Sequence, residues 1–138
     1  MTLKINLPNT LRQQIYDQAL SDPDNEVCGL LGGQHQIITS YYPVRNIAPD
    51  AARRYLMDPA EQIAAMKSMR DRGETLAAIF HSHTNAPAQP SRTDLELAYY
   101  PDTTYLILSL QCDPPELNAF FFDGTQFIQQ QIQASDRN

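Results

Sequence analysis

The sequence predicts an α/β domain, a mixed β-sheet flanked by helices. Two stretches carry helical spacing, "NTLRQQIYDQAL" from Asn9 and "DPAEQIAAMKSMRDRG" from Asp58, while "TLAAIFHSH" and "TTYLILSL" are apolar runs of strand length. Hairpin signals stand towards both ends. Helices interleaved with strands, with hairpins flanking them, fit a sheet that carries helices on its faces. A chain of 138 residues holds one sizeable core. We therefore expect a single domain over residues 1 to 134 and a frayed tail at 135 to 138.

From about Asn9 to Ser21, Leu11, Ile15 and Ala19 recur four apart on one helical face, and "SDPDN" ends the run. "EVCGLLGG" and "HQIITSYYPV" read as two strands joined around Gly32 and Gly33. "VRNIAPDAARRYLMD" has no periodicity, and irregular segments of that length tend to be functional or mobile. Asp58 is placed to cap the second helix, with Pro59 at its first position, Ile63, Met66 and Met69 on one face, and Gly73 as the stop. A strand "TLAAIFHSH", a short helix "TDLELAYY" and a buried strand "TTYLILSL" follow. "LNAFFF", turned by Asp123 and Gly124 into "TQFIQQQI", closes the chain as a hairpin.

Composition excludes several functions. A net charge of -6 and a pI near 4.8 argue against nucleic acid and anionic membranes as partners, since both are bound through Lys and Arg. The apolar runs fall well short of the roughly 20 residues that cross a bilayer. No secretory h-region opens the chain, and Cys28 and Cys112 stand far apart, so reduced thiols and a cytoplasmic location are expected.

Two of the three histidines lie in "FHSHTNAPAQPSRTDLELAYY". On a strand His81 and His83 point the same way and Ser82 the other, with Ile79 sharing the histidine face. The strand is expected to leave the core where the polar pair begins. Paired imidazoles favour zinc, a carboxylate is a common third ligand, and Asp94 is the nearest candidate. Three protein ligands leave a fourth position for water, whose pKa zinc lowers from about 15.7 towards 7, which suits hydrolysis. A base and an oxyanion donor are then required; Ser91 can donate, and the base must be an acidic residue from elsewhere. Structural readings stand beside these. His-x-His also serves as a packing pair, "SRTD" is a capping-box pattern, Glu26 suits a solvated surface, and Cys28 suits a buried apolar position.

Taken jointly, the pattern resembles the JAB/MPN metalloprotease family, also called JAMM. Its signature is an upstream glutamate followed by His-x-His, seven residues, Ser, two residues and Asp, which "HSH", "TNAPAQP", Ser91, "RT" and Asp94 match without a gap. "NEVCGLLGG" looks like the glutamate segment, and the resemblance covers most of residues 10 to 112. Thr84 departs from it, since many members carry proline there. The resemblance implies His81, His83 and Asp94 as zinc ligands, Glu26 for proton transfer and Ser91 for oxyanion stabilisation. It also implies a fold similar to cytidine deaminases, whose own His-x-Glu and Pro-Cys-x-x-Cys motifs are absent.

By the same resemblance the expected activity is zinc-dependent hydrolysis of a peptide or isopeptide bond. The implied substrate is the C-terminal tail of a small ubiquitin-like or sulfur-carrier protein. The irregular segment from Arg45 to Asp58 reads either as one wall of a groove gripping an extended tail by strand addition or as a surface loop. The alternative function is a non-catalytic scaffold or binding module that keeps the fold, although such members typically lose ligands and this chain has all of them. Members linked to DNA repair share the spacing, and the acidic balance counts against that reading.

Overall fold

The computed structural model describes residues 4–134, so the tail expected at 135 to 138 lies outside the described residues. Seven strands and three helices follow in the order β1 (Lys4–Asn6), α1 (Asn9–Ser21), β2 (Cys28–Gln34), β3 (Ile37–Val44), α2 (Pro59–Asp71), β4 (Thr75–His83), α3 (Arg92–Glu96), β5 (Thr103–Ser109), β6 (Glu116–Phe122) and β7 (Phe127–Gln133). The sheet order is β1-β3-β2-β4-β5-β6-β7, and β7 pairs back to β1, closing a barrel. Pairing is parallel between β4 and β5 and at both edges of β1, and antiparallel elsewhere, so the sheet is mixed as expected.

The strand that closes the barrel, β1, is absent from the sequence expectation. Its signal is the alternation of Ile5 and Leu7, both buried, with Lys4 and Asn6. Three residues carry too little pattern to announce a strand, and the pairing partner of β1 lies at the far end of the chain. Closure removes the free edges that an open sheet would present to other chains.

Two apolar clusters hold the sheet. On one face α1 buries Leu11, Ile15 and Ala19, the three residues its spacing singles out, against Leu31, Ala78, Phe80, Leu106 and Leu108. On the other, α2 packs Ala65 and Met69 against Leu30, Ile79 and Tyr105. Asp58 caps α2 by accepting from the Ala60 N–H at 3.1 Å, with Pro59 next, as the sequence indicates. The buried stripe of α2 differs from expectation. Ile63 is 70% exposed, because Gln62 takes the inward position and donates to the Tyr100 hydroxyl at 2.9 Å.

The first hairpin also differs. Its turn falls at His35 and Gln36, with φ of 53° and 69°, rather than at the glycines. Gly33 instead sits opposite a bulge of β3 at Thr39, where a Cβ would lie 2.1 Å from the Ile37 carbonyl oxygen. Gly32 admits the Glu74 carboxylate, which a Cβ would approach to 2.7 Å.

That carboxylate gathers hydroxyls from β3. It accepts from Tyr42 at 2.6 Å, from Ser40 at 2.7 Å and from Thr39, with Arg72 donating to Ser40 at 2.8 Å. Partial burial tends to raise the Glu74 pKa, but the hydroxyl bonds and Arg72 outweigh it and hold the group below its ordinary value of 4.5. A depressed carboxylate stabilises the fold above its unfolded pKa, and that contribution is lost as pH falls through the folded value. Glu74→Gln is therefore expected to cost about 1 kcal/mol at pH 7, a magnitude held down by solvent screening. In thermal melts the gap to wild type should close as pH drops below 4.5. A gap independent of pH would assign the effect to shape rather than charge.

Candidate metal centre

Strand alternation on β4 divides its side chains as the period demands: Ala78 and Phe80 face one core, and Ile79 faces the other with His81 and His83 beyond it. The strand does not leave the core at the histidine pair, contrary to expectation. His81 is 1% exposed and His83 3%, because the segment between β3 and α2 and the loop after β4 cover them. Tyr55, from the first of these, stacks on the His81 ring with centroids 4.5 Å apart and planes at 25°.

The two imidazoles converge with Asp94 on one point. His81 Nε2 lies 3.1 Å from Asp94 Oδ1, His83 Nε2 lies 3.0 Å from Asp94 Oδ2, and the two Nε2 atoms are 3.1 Å apart. His83 Nδ1 donates to the Pro87 carbonyl at 2.8 Å, which fixes a proton on Nδ1, so that a neutral ring turns its Nε2 lone pair to a carboxylate oxygen. Two such acceptors face each other favourably only across a positive charge. Zinc bonds of 2.0–2.1 Å in a tetrahedron set ligand atoms about 3.3 Å apart. The observed separations of 3.0 to 3.1 Å therefore fit a divalent ion of that size with shifts of a few tenths of an ångström. His81, His83 and Asp94 form the one such grouping of metal-ligating side chains among the described residues.

The charge balance agrees. Burial lowers the His81 pKa and keeps the ring neutral, as a ligand must be. Burial works the same way on His83, but the bonds to Asp94 and the Pro87 carbonyl reverse the direction and draw positive charge there. Burial would raise the Asp94 carboxyl, yet the two histidine rings and the Ser91 N–H hold it well below the ordinary carboxylate range. An ionised carboxylate facing two imidazoles is a charge arrangement that suits a cation.

Ser91 and Asp94 also form a capping box on α3. The Ser91 N–H donates to Asp94 Oδ2 at 2.8 Å, and Ser91 Oγ accepts from the Asp94 N–H at 3.0 Å. The structural and metal readings of "SRTD" are therefore compatible, because the cap fixes the carboxylate that faces the histidines. Ser91 itself is exposed, and its hydroxyl proton has no acceptor among the described residues. It does not line the cleft that holds Glu26 and His83.

Glu26 is not on a solvated surface. It is 6% exposed, and its Oε1 has no hydrogen-bond partner among the described residues. Its backbone is tied on both sides, donating to Ala51 O at 2.7 Å and accepting from Asn46 Nδ2 at 2.9 Å. The neighbouring Val27 N–H donates to Ser82 Oγ at 2.9 Å, locking the approach to β2 against β4. Burial pushes the Glu26 pKa up to about 8; His83 opposes this, and the Asp94 and Asp50 carboxylates add to it. Glu26 lines a cleft of about 380 Å³ with His83, Ala52, Arg53, Thr84 and Asn85. Cys28 is fully buried, donates to Val44 O at 3.3 Å and has its thiol pushed up to about 12 by burial, which makes it structural.

Several contributors escape sequence reasoning. Asn46 organises the long segment by accepting from the Ala48 and Leu56 N–H groups and donating to Glu26 O and Arg54 O. That segment is thus a fixed wall beside Glu26 rather than a free loop. Thr84, at the position where proline is common, donates to Ala52 O at 3.0 Å and so ties the loop after β4 to the same wall. Asn46 has a sequence signal as a turn former, whereas Pro87 contributes a backbone carbonyl and has none.

Several known proteins are similar to this chain. A desampylase from Haloferax volcanii is 31% identical over 92% of this chain and 91% of its own length. A CysO-cysteine peptidase from Mycobacterium tuberculosis is 39% identical over 70% of this chain and 66% of its own. A solution structure of a Desulfitobacterium hafniense protein superposes with a TM-score of 0.87 at 32% identity, covering 96% of this chain and 94% of that one. The family model for prokaryotic homologs of the JAB domain matches residues 8–123, and the chain belongs to that family.

Proposed function

We propose that this protein is a zinc-dependent peptidase that hydrolyses a peptide or isopeptide bond at the C-terminal tail of a small ubiquitin-like or sulfur-carrier protein. The observation that carries the reading is the convergence of His81 Nε2, His83 Nε2 and the Asp94 carboxylate beside a buried carboxyl with an unpaired oxygen. His81, His83 and Asp94 hold the zinc. When bound there, zinc supplies Lewis acidity and brings the pKa of water to about 7.

The remaining work falls to this chain's own groups. Glu26 takes a proton from the attacking water on its unpaired Oε1 and delivers it to the leaving amine. Ser91 directs its uncommitted hydroxyl proton to the developing oxyanion. The wall around Asn46 and Thr84 keeps Glu26 at a fixed distance from the histidines and narrows access for bulk water. Relatives named desampylase and CysO-cysteine peptidase support the substrate class.

Among the described residues no helix is long and apolar enough to cross a membrane. The two cysteines are unpaired, Cys28 buried and Cys112 exposed, which fits the reducing cytoplasm. The test of function is mass spectrometry of ubiquitin-like and sulfur-carrier proteins bearing C-terminal extensions, after incubation with zinc-loaded wild type and with His81→Ala. Loss of the extension with wild type alone is expected; unchanged masses across the set would overturn the reading.

A further inference from the structure

Besides His83, the cleft beside Glu26 has one basic side chain among its described lining residues, Arg53. Its neighbours in the wall are committed: Arg45 pairs with Asp58 at 2.9 Å, and Arg54 pairs with Asp50 at 2.9 Å. The Arg53 guanidinium has no protein partner among the described residues, whereas the backbone just before it is fixed. Ala51 O accepts from Glu26, Ala52 O accepts from Thr84, and the Arg53 N–H donates to Asp50 O at 2.9 Å. An exposed, uncommitted cation therefore extends from a fixed backbone at the cleft that Glu26 lines, in a protein whose net charge is -6.

Resting on the hydrolase reading, we propose that Arg53 is a specificity-determining residue that binds a free α-carboxylate on the residue released by cleavage. Hydrolysis breaks the carbonyl C–N bond, forms a C–O bond to the water oxygen and returns a proton to the nitrogen. That proton passes through Glu26 beside the metal ligands, so the leaving nitrogen is placed in the cleft that Glu26 lines together with His83. In a single C-terminal residue one Cα separates that nitrogen from the α-carboxylate, so the cleft that receives one receives the other. The planar guanidinium fork matches a carboxylate with two parallel hydrogen bonds. A lysine ε-amine within a folded protein brings no carboxylate to that place. Arg53 thus turns the site towards trimming the last residue of a linear tail and away from isopeptide bonds. The carboxylate keeps its charge throughout the reaction, so Arg53 acts in binding and orientation.

The test uses zinc-loaded protein carrying Glu26→Gln, so that the probe is not consumed. A fluorescein-labelled peptide ending in Gly-Gly-Ala is titrated as its free acid and as its C-terminal amide. The acid is expected to bind about tenfold more tightly, the lower end of the range for a charge-assisted hydrogen bond at an exposed site. Adding Arg53→Gln should bring the ratio close to one, and Arg53→Lys, which keeps the charge without the fork, should leave part of it. Melting temperature and zinc content of each variant report on the fold. Equal affinity for acid and amide, including no measurable binding of either, overturns the proposal, as does a preference that survives Arg53→Gln. Because binding is read without turnover, failure of wild type to cleave either peptide would count against the hydrolase reading alone.

Discussion

Replacing Glu26 by glutamine is expected to lower turnover by on the order of a hundredfold or more while leaving bound zinc unchanged. Glutamine keeps the size and burial of the side chain, but it cannot accept a proton from water and pass it to an amine. The same substitution has an opposite effect on stability in chelated, metal-free protein. Glu26 titrates near 8 in the fold against 4.5 in the unfolded chain, because burial disfavours its charge. Below 4.5 both states are protonated and Glu26 costs nothing; as pH rises towards 8 the native state must hold a proton that the unfolded state has released. Glutamine carries no such demand. Melting temperatures of the two metal-free proteins should therefore match at low pH and separate as pH rises, with the variant the more stable. Turnover equal to wild type would remove Glu26 from the mechanism, and a pH-independent gap would remove the burial argument.

Asp94→Ala is expected to have the largest effect on metal. It deletes the carboxylate shared by the two histidines, at 3.1 and 3.0 Å, and with it the second half of the capping box on α3. Zinc affinity should fall by well over a hundredfold, since loss of an outer-sphere partner alone costs about 10 to 100. Ser91→Ala separates the two roles of this turn. It removes the hydroxyl that caps α3, at a cost of about 1 kcal/mol, while Asp94 remains to ligate. Equilibrium dialysis should find near-stoichiometric zinc on Ser91→Ala and little on Asp94→Ala. Comparable zinc on both would mean that Asp94 serves only as a helix cap.

The signature from His81 to Asp94 is legible in the sequence because its chemistry resides in side chains at short, fixed spacing on β4 and at the start of α3. Helix α1 is legible for a similar reason: its three buried residues lie four apart and pack on one face. What local pattern does not carry is long-range pairing. Strand β1 is recognisable only through its partner β7, and the barrel closes there. Ile63 faces solvent because Gln62 finds Tyr100, a contact between residues 38 positions apart. The depth of the site is likewise hidden, since the segment that covers His81 is irregular and is held by the hydrogen bonds of Asn46 rather than by periodicity. The Pro87 carbonyl that orients His83 belongs to the backbone, which no residue type announces.

Anomalous diffraction at the zinc edge from zinc-saturated crystals tests the central claim most directly. The account predicts one strong peak 2.0–2.2 Å from His81 Nε2, His83 Nε2 and an Asp94 oxygen together. Zinc bound elsewhere, with this trio joined only by its own hydrogen bonds, would contradict it.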